Sequence, residues 1–182
     1  MKDYIKLIEA QMQNKKHIVI TGSIGSGKST ILNKLRDRME LNCNIPGLIT
    51  WKTQDKAVYM RKVESREFVK IGEYIPNSSL KVNRMQSVQA GFNIYGVSWL
   101  DELINDNSEW VTIDEIGFLE NDCQPYIEKL NELFERKRVI AVVRKQRIKH
   151  IDEIVYRDDT FVVDLDIDIL KREWLIVSNK QK

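Results

Sequence analysis

Gly22-Ser23-Ile24-Gly25-Ser26-Gly27-Lys28-Ser29-Thr30 decides the fold, because it completes the phosphate-binding pattern G-x-x-x-x-G-K-[ST]. The preceding run, His17–Thr21, is apolar and strand-like, as the pattern requires. Apolar residues at helical spacing follow the loop: Ile31, Leu32, Leu35 and Met39. The order of strand, glycine-rich loop and helix therefore predicts that Gly22–Thr30 binds the phosphates of a nucleoside triphosphate or diphosphate.

Each residue type in this loop has a chemical role. Gly22, Gly25 and Gly27 let the backbone wrap closely around an anion, and the following helix directs its positive N-terminal end at the same charge. Lys28 adds a point charge for the β- and γ-phosphates, so we expect it to be catalytic as well as phosphate-binding. The Ser29 hydroxyl is expected to be a ligand of Mg²⁺.

The composition is that of one ordinary globular domain. The chain has 182 residues, of which 42% are hydrophobic and 31% charged, with a net charge of +2. The basic stretches at 136–138 and 144–150 are better explained as solvated helix ends and a loop than as a polyanion surface, so we do not expect nucleic acid as a partner. A protein partner or a homo-oligomer is left open.

Apolar runs are about five residues long, well below the roughly 20 that a membrane-spanning helix needs, so we expect no membrane partner. Cys43 and Cys123 are far apart and have no metal-ligand spacing, which is typical of reduced thiols in the cytoplasm. At the N-terminus, residues 1–16 have the spacing of a short amphipathic helix. We therefore predict a helical extension over 1–16 and a phosphate-loop domain over 17–182.

Strand-like and helical segments alternate along most of the chain, which predicts an α/β fold with a mostly parallel sheet and helices on both faces. Two adjacent strand-like runs, Val58–Val63 and Glu67–Ile71, predict a small antiparallel hairpin insertion. Helical spacing is present from about Val88 to Ile104. The final apolar run, Trp174–Val177, has the pattern of one more strand.

Trp110-Val111-Thr112-Ile113 has the pattern of a buried strand that ends in Asp114 and Glu115. In phosphate-loop proteins a carboxylate at this position holds Mg²⁺, usually through water, and we assign that role to Asp114. Glu115 is placed to orient an attacking water molecule and to accept its proton. A simple cap on a strand-to-helix turn is the weaker explanation for this pair.

The segment Asp114-Glu115-Ile116-Gly117-Phe118-Leu119-Glu120 resembles the D-E-I-G-x-[ML]-E motif of the THEP1-type nucleoside triphosphatases. Pro46–Thr50 and Ile71–Tyr74 are similar to two further motifs of that family, and the resemblance extends from His17 to about Asp164. It implies Mg²⁺-dependent hydrolysis of ATP, GTP or another NTP, with little selectivity for the base. It also implies a sheet in which one strand separates the loop strand from the Asp-Glu strand.

The chain departs from this family at two places. Trp51-Lys52-Thr53-Gln54 stands where the family often has acidic residues and an arginine, so no role for an arginine is carried over. Arg144 and Lys145 stand where the family tends to have a small polar residue and a histidine. Either could bring a positive charge to the γ-phosphate, and a solvated loop explains them equally well.

The remaining candidates are weaker. Trp51 follows a strand near the expected nucleotide edge and could stack on a base, although core packing is the commoner role of tryptophan. His17 is interpreted as a strand-edge residue, and His150 lies in a polar, basic stretch.

Three functions remain open after this reading. The leading interpretation is an Mg²⁺-dependent NTPase with broad base specificity. A nucleotide or small-molecule kinase would share the phosphate loop, although Asp114 and Glu115 favour water as the acceptor. The third interpretation is an NTP-gated adaptor with little turnover.

Overall fold

The computed structural model describes residues 2–40, 45–76 and 85–167, which form one sheet between two layers of helices. The strands are β1 (His17–Thr21), β2 (Gly47–Lys52), β3 (Val58–Lys62), β4 (Phe68–Tyr74), β5 (Met85–Ser87), β6 (Trp110–Ile116), β7 (Arg138–Val143) and β8 (Thr160–Asp164). The helices are α1 (Lys2–Met12), α2 (Lys28–Glu40), α3 (Val97–Asn105), α4 (Gln124–Arg136) and α5 (Lys149–Val155). A π-helical segment, Gly91–Gly96, leads directly into α3.

The strands lie in the order β5-β4-β3-β2-β6-β7-β1-β8. The pairs from β2 to β8 are parallel, whereas β3, β4 and β5 add an antiparallel extension to the edge of β2. The predicted fold class is therefore confirmed. The implied strand position is also confirmed, because β7 lies between β1 and β6.

Apolar helix faces bury both sides of this sheet. On one side, α3, α4 and α5 pack through residues such as Leu100, Leu130 and Ile154. On the other side, α1 and α2 pack through residues such as Ile8 and Leu35. Parallel strands covered in this way are buried on both faces, which explains why β1 and β7 have continuous apolar sequences.

Close backbone packing fixes the start of β2 beside β6. A β-carbon at Gly47 would lie 2.2 Å from the carbonyl oxygen of Thr112, so only glycine fits at this position. The turn signal Pro46-Gly47 thus marks both the start of the strand and the close approach of its neighbour. This contact brings the C-terminal ends of β2 and β6 to the same edge of the sheet as the phosphate loop.

The structure agrees with some of the local predictions and differs from others. The N-terminal helix is present, and Ile8 is fully buried against the core, whereas the domain division at residue 16 stays a prediction. His17 is not a strand-edge residue, because β1 lies between β7 and β8 and its imidazole is buried against Phe134. The strand β5 had no clear pattern in the sequence. Cys43 and Trp174–Val177 lie outside the described residues.

None of the helices among the described residues is long and apolar enough to cross a membrane.

Candidate nucleotide-binding and catalytic site

The phosphate loop connects β1 to α2 at the C-terminal edge of the sheet, which is where ligands bind in open α/β folds. Gly22, Gly25 and Gly27 have φ angles of 147°, 80° and 90°, which residues with a side chain rarely adopt. A β-carbon at Gly22 would also lie 2.8 Å from Ser26 Oγ. The glycine spacing in the sequence therefore encodes the backbone shape of the loop.

Lys28 is the first residue of α2, and its ammonium group lies within the loop. It donates hydrogen bonds to the carbonyl oxygens of Gly22 (2.9 Å) and Ser23 (2.7 Å). Partial burial and the nearby charge of Arg144 lower the pKa of Lys28, while Asp166 and Asp114 act in the opposite direction. The ammonium is thus held at the centre of the cleft by weak, exchangeable contacts with neutral acceptors.

Ser29 and Asp114, predicted to form the metal site, lie together. The Ser29 hydroxyl donates a 2.9 Å hydrogen bond to Asp114 Oδ1 across 85 residues of sequence. Burial raises the pKa of Asp114, and the hydrogen bond from Ser29 and the charges of Arg36 and Lys28 only partly offset it. A buried carboxylate with little compensation beside a hydroxyl is the kind of oxygen donor set that a divalent cation favours.

Glu115 lies in a bulge, so β6 does not end at Asp114 and Glu115. Asp114 pairs with Val142 and Ile116 pairs with the adjacent Val143, which leaves Glu115 as the extra residue. Its φ of 146° is unusual for a residue with a side chain. Consecutive strand residues normally face opposite sides of a sheet. Here Glu115 lines the nucleotide cleft, while the buried Asp114 contacts the cleft residue Ser29.

Arg144 follows β7, and its guanidinium forms an ion pair with the Glu115 carboxylate. The same guanidinium lies 5.3 Å from the centre of the Phe118 ring, and burial lowers the pKa of Arg144. Gly117 leaves room for this side chain, because a β-carbon there would lie 3.0 Å from Arg144 Cδ. Arg144 is therefore a component of the site and does not belong to a solvated loop.

Lys145 has a different environment from Arg144. Its ammonium pairs with Asp164 at 2.9 Å and with Asp166 at 3.1 Å. Asp166 in turn accepts hydrogen bonds from the backbone N–H of Ser23 (2.9 Å) and from Ser23 Oγ (2.8 Å). The Ser23 N–H bond is the main reason that the pKa of Asp166 falls to about 2, followed by the bonds from Ser23 Oγ and Lys145.

The cleft between these groups has a volume of about 610 Å³. It is lined by the loop, Lys52, Glu115, Arg144, Lys145 and Gln146. Lys52 and Asp166 were not identified from sequence as site residues. The available signal for Asp166 was the acidic pair formed by Asp164, which ends β8, and Asp166, two residues later. Trp51 does not line this cleft. Its ring packs with Tyr59 (5.8 Å) and Phe68 (5.8 Å) on the antiparallel extension.

Two buried polar residues lie behind Glu115 and Arg144. Glu120 is 4% exposed and His150 is 3% exposed. His150 lies in the polar, basic stretch noted in the sequence, but α5 turns this residue toward the core while Lys149 and Arg147 face solvent. Glu120 was recognised only as the last letter of a family motif.

A phosphate loop after β1, a central parallel sheet and a buried carboxylate on the second strand away define a phosphate-loop nucleotide-binding protein of the α/β class. A family model described as NTPase matches residues 17–177, so the chain belongs to the NTPase family. The match confirms that the chain is a nucleoside triphosphatase and that the resemblance inferred from its motifs is correct.

Two solved structures share the fold. The crystal structure of THEP1 from the hyperthermophile Aquifex aeolicus has a TM-score of 0.68 at 19% identity, covering 88% of this chain and 98% of that one. The solution structure of a human cancer-related nucleoside triphosphatase has a TM-score of 0.64 at 17% identity, covering 91% and 95%. No curated protein matches the sequence.

Proposed function

We propose that the chain is an Mg²⁺-dependent enzyme of the cytoplasm. It hydrolyses nucleoside triphosphates to nucleoside diphosphates and inorganic phosphate, and it accepts several bases. The observation that carries the proposal is that Lys28, Ser29 and Glu115 line one cleft, and that the buried Asp114 is hydrogen-bonded to Ser29 directly behind it. The human protein of similar fold is itself named a nucleoside triphosphatase, which supports the proposal.

Ser29 and Asp114 would hold the Mg²⁺ ion. Their oxygen atoms are 2.9 Å apart, and the burial that raises the pKa of Asp114 leaves a carboxylate whose charge a cation would compensate. One or two protein groups are enough, because Mg²⁺ usually keeps several waters and takes its other ligands from substrate phosphates. When bound, the ion would neutralise charge that develops on the phosphates during transfer.

Glu115 would accept the proton of the attacking water. As the water oxygen bonds to the γ-phosphorus, the bond from that phosphorus to the β–γ bridging oxygen breaks and the diphosphate leaves. The proton lost by the water passes to the Glu115 carboxylate. The bulge places this carboxylate at the cleft that also contains Lys28, and the Arg144 guanidinium holds it there.

Lys28 would bind the triphosphate, and Arg144 would act mainly on the charge that develops in the transition state. Lys28 can exchange its two carbonyl acceptors for phosphate oxygens, which are stronger acceptors because they are charged. Arg144 lines the same cleft and carries a charge that burial leaves only partly solvated. A fixed positive charge of this kind stabilises the transition state without needing to reorganise.

We expect broad base specificity because the proposed contacts are with the phosphates of the nucleotide and not with its base. The loop binds phosphates, which are common to all nucleotides, and the sequence has no N-K-x-D segment to recognise guanine. Strong discrimination would require buried polar groups that the wrong base leaves unpaired.

A kinase activity is the second candidate, because a smaller pocket of about 210 Å³ lies beyond Glu115. Its walls include Thr50, Lys52, Val58, Leu119 and Glu115 itself. A carboxylate shared between this pocket and the nucleotide cleft could accept a proton from an acceptor hydroxyl as readily as from water.

The test measures nucleoside diphosphate and free phosphate in the same reaction. Each of the four common NTPs is supplied with Mg²⁺, with and without nucleoside monophosphates as acceptors. We expect equal amounts of both products and rates within about 100-fold across the bases, because an unspecialised pocket discriminates weakly. Diphosphate formed without free phosphate when an acceptor is present would indicate a kinase. Nucleotide binding without either product would indicate an adaptor.

A further inference from the structure

The peptide of Gly117 is held from both sides by buried polar side chains. Its N–H donates a 3.0 Å hydrogen bond to Glu120 Oε2. Its carbonyl oxygen accepts a 2.9 Å hydrogen bond from His150 Nε2, which requires the tautomer with the proton on Nε2. One partner lies in the turn after β6 and the other in α5, so two separate segments hold the two peptide groups on either side of the Gly117 Cα.

Both partners are buried, and burying a polar side chain costs free energy of folding because the group loses its hydration. Burial raises the pKa of Glu120 to about 7, although hydrogen bonds from its own N–H and that of Gly117 oppose the effect. The carboxyl group faces the buried Cys123 thiol and Tyr126 phenol, and it contributes to the raised pKa of both. An apolar residue would avoid this cost of burial, so the polar group is informative about what Gly117 requires.

The held peptide adjoins both charged groups of the site. Gly117 is two residues from Glu115, on the far side of the bulge. The backbone N–H of Arg144 donates to the carbonyl oxygen of Ile116 at 2.9 Å, and this carbonyl belongs to the same peptide group as the Gly117 N–H. The Arg144 side chain then passes close over Gly117 on its way to Glu115. A displacement of the Gly117 peptide would therefore move the carboxylate and the guanidinium together.

We propose that Glu120 and His150 are positioning residues for turnover, which hold the Gly117 peptide so that Glu115 and Arg144 keep their geometry in the cleft. Neither residue lines the cleft formed by the phosphate loop, although Glu120 lines the 210 Å³ pocket beside it. The inference rests on the proposed roles of Glu115 and Arg144, and it explains why the motif Asp114–Glu120 extends five residues beyond the proton acceptor.

The first test compares Glu120→Ala, which removes the acceptor, with Glu120→Gln, which keeps an acceptor oxygen for the Gly117 N–H. We expect kcat to fall about 10- to 100-fold in Glu120→Ala, the size of effect seen when groups that orient active-site residues are removed. Affinity for a non-hydrolysable triphosphate analogue should not change, and Glu120→Gln should recover most of kcat. The exposed Glu128→Ala on α4 is the matched control.

A second readout does not depend on activity. Hydrogen exchange of the Gly117 amide, followed by NMR, should accelerate in Glu120→Ala and return to the wild-type rate in Glu120→Gln. Equal loss of kcat in both variants would overturn the hydrogen-bond role of Glu120. Wild-type kcat in Glu120→Ala, or a fall in kcat accompanied by an equal fall in analogue affinity, would overturn the positioning role.

The third test removes the other side of the contact with His150→Leu, while His150→Gln keeps a donor near the position of Nε2. If both side chains act by fixing the backbone of Gly117, their effects on kcat should not add in the double variant Glu120→Ala/His150→Leu. Additive losses would show that the two residues act separately and would overturn the shared role.

Turnover of Glu115→Gln separates a failure of this inference from a failure of the proposed function. If that variant turns over like the wild type while Glu120→Ala is impaired, the proton acceptor is wrong and the positioning role stands. If Glu115→Gln is impaired and Glu120→Ala is not, the proposed function stands and the positioning role is wrong.

Discussion

The wall of the cleft formed by the phosphate loop and the wall opposite it are made in different ways. Nine consecutive residues, Gly22–Thr30, form the first, and its shape depends mainly on backbone angles at three glycines. The second is formed by side chains from the bulge in β6 and from the segment after β7, and it is supported from behind by the turn after β6 and by α5. The first wall is local in sequence, whereas the second depends on contacts between distant segments.

This difference implies different functions for the two walls. Backbone groups and Lys28 can bind phosphates in substrate, transition state and product alike, so the loop should mainly determine affinity. Glu115 and Arg144 hold each other through an ion pair on the other side of the cleft. If they act as proposed, the opposite wall should mainly determine rate. Variants in the two walls should therefore separate binding from turnover.

Lys28→Ala should produce the largest loss of binding. Removing a charge-assisted donor from a polyanion should reduce affinity for a triphosphate analogue about 30- to 4,000-fold, which corresponds to the 2–5 kcal/mol typical of such groups. Isothermal titration calorimetry measures the affinity, and the exposed Lys149→Ala is the control. Near-normal affinity in Lys28→Ala would contradict the assignment of the loop.

Arg144→Gln should lower kcat rather than nucleotide affinity. We expect kcat to fall about 10²-fold, the lower end for loss of one preorganised group that stabilises the transition state, while analogue affinity changes little. Lys145→Gln should lose less, because its ammonium is paired with Asp164 and Asp166. A larger loss of kcat in Lys145→Gln than in Arg144→Gln would transfer the charge on the γ-phosphate to Lys145.

Ser29 and Asp114 lie where the two walls meet. Ser29→Ala and Asp114→Asn should therefore change the Mg²⁺ concentration that hydrolysis requires. Each variant removes one member of the hydrogen-bonded oxygen pair. We expect the Mg²⁺ concentration for half-maximal hydrolysis to rise about 10-fold or more, by analogy with the loss of groups that support a metal site. An unchanged Mg²⁺ titration in both variants would show that the ion uses other ligands.

Glu120→Gln should change a different property, the pH dependence of folding stability. Burial raises the pKa of Glu120 from 4.5 to about 7, so the folded state keeps its proton in this range while the unfolded state loses it. Stability contributed by the protonated group is therefore present below pH 4.5 and lost as the pH rises to about 7, by about 3 kcal/mol.

Thermal unfolding of the wild type and Glu120→Gln between pH 4.5 and 8 tests this expectation. The buried His17, whose pKa burial lowers to about 4, is present in both proteins, so its contribution cancels in the difference. The stability of the variant relative to the wild type should rise with pH over this range. A constant difference would show that Glu120 does not titrate as a buried carboxyl group.

The predictable parts of the molecule are those whose causes are local in sequence. The glycine spacing, the apolar strands and the helix periods predicted the loop, the sheet and the pair Asp114 and Glu115. The bulge at Glu115 could not be predicted, because it depends on the register between β6 and β7. The contact of Asp166 with Ser23 joins residues 143 positions apart, and the burial of His150 depends on how α5 packs.

The central claim is that Glu115 supplies the proton acceptor, and Glu115→Gln tests it most directly. The amide keeps the shape of the side chain but cannot accept a proton from water. The measurement is single-turnover hydrolysis at saturating Mg²⁺ and enzyme, with analogue affinity measured in parallel and the exposed Glu128→Gln as the control. We predict unchanged affinity and a rate lower by about 10²- to 10⁴-fold. A wild-type rate in Glu115→Gln would contradict the account.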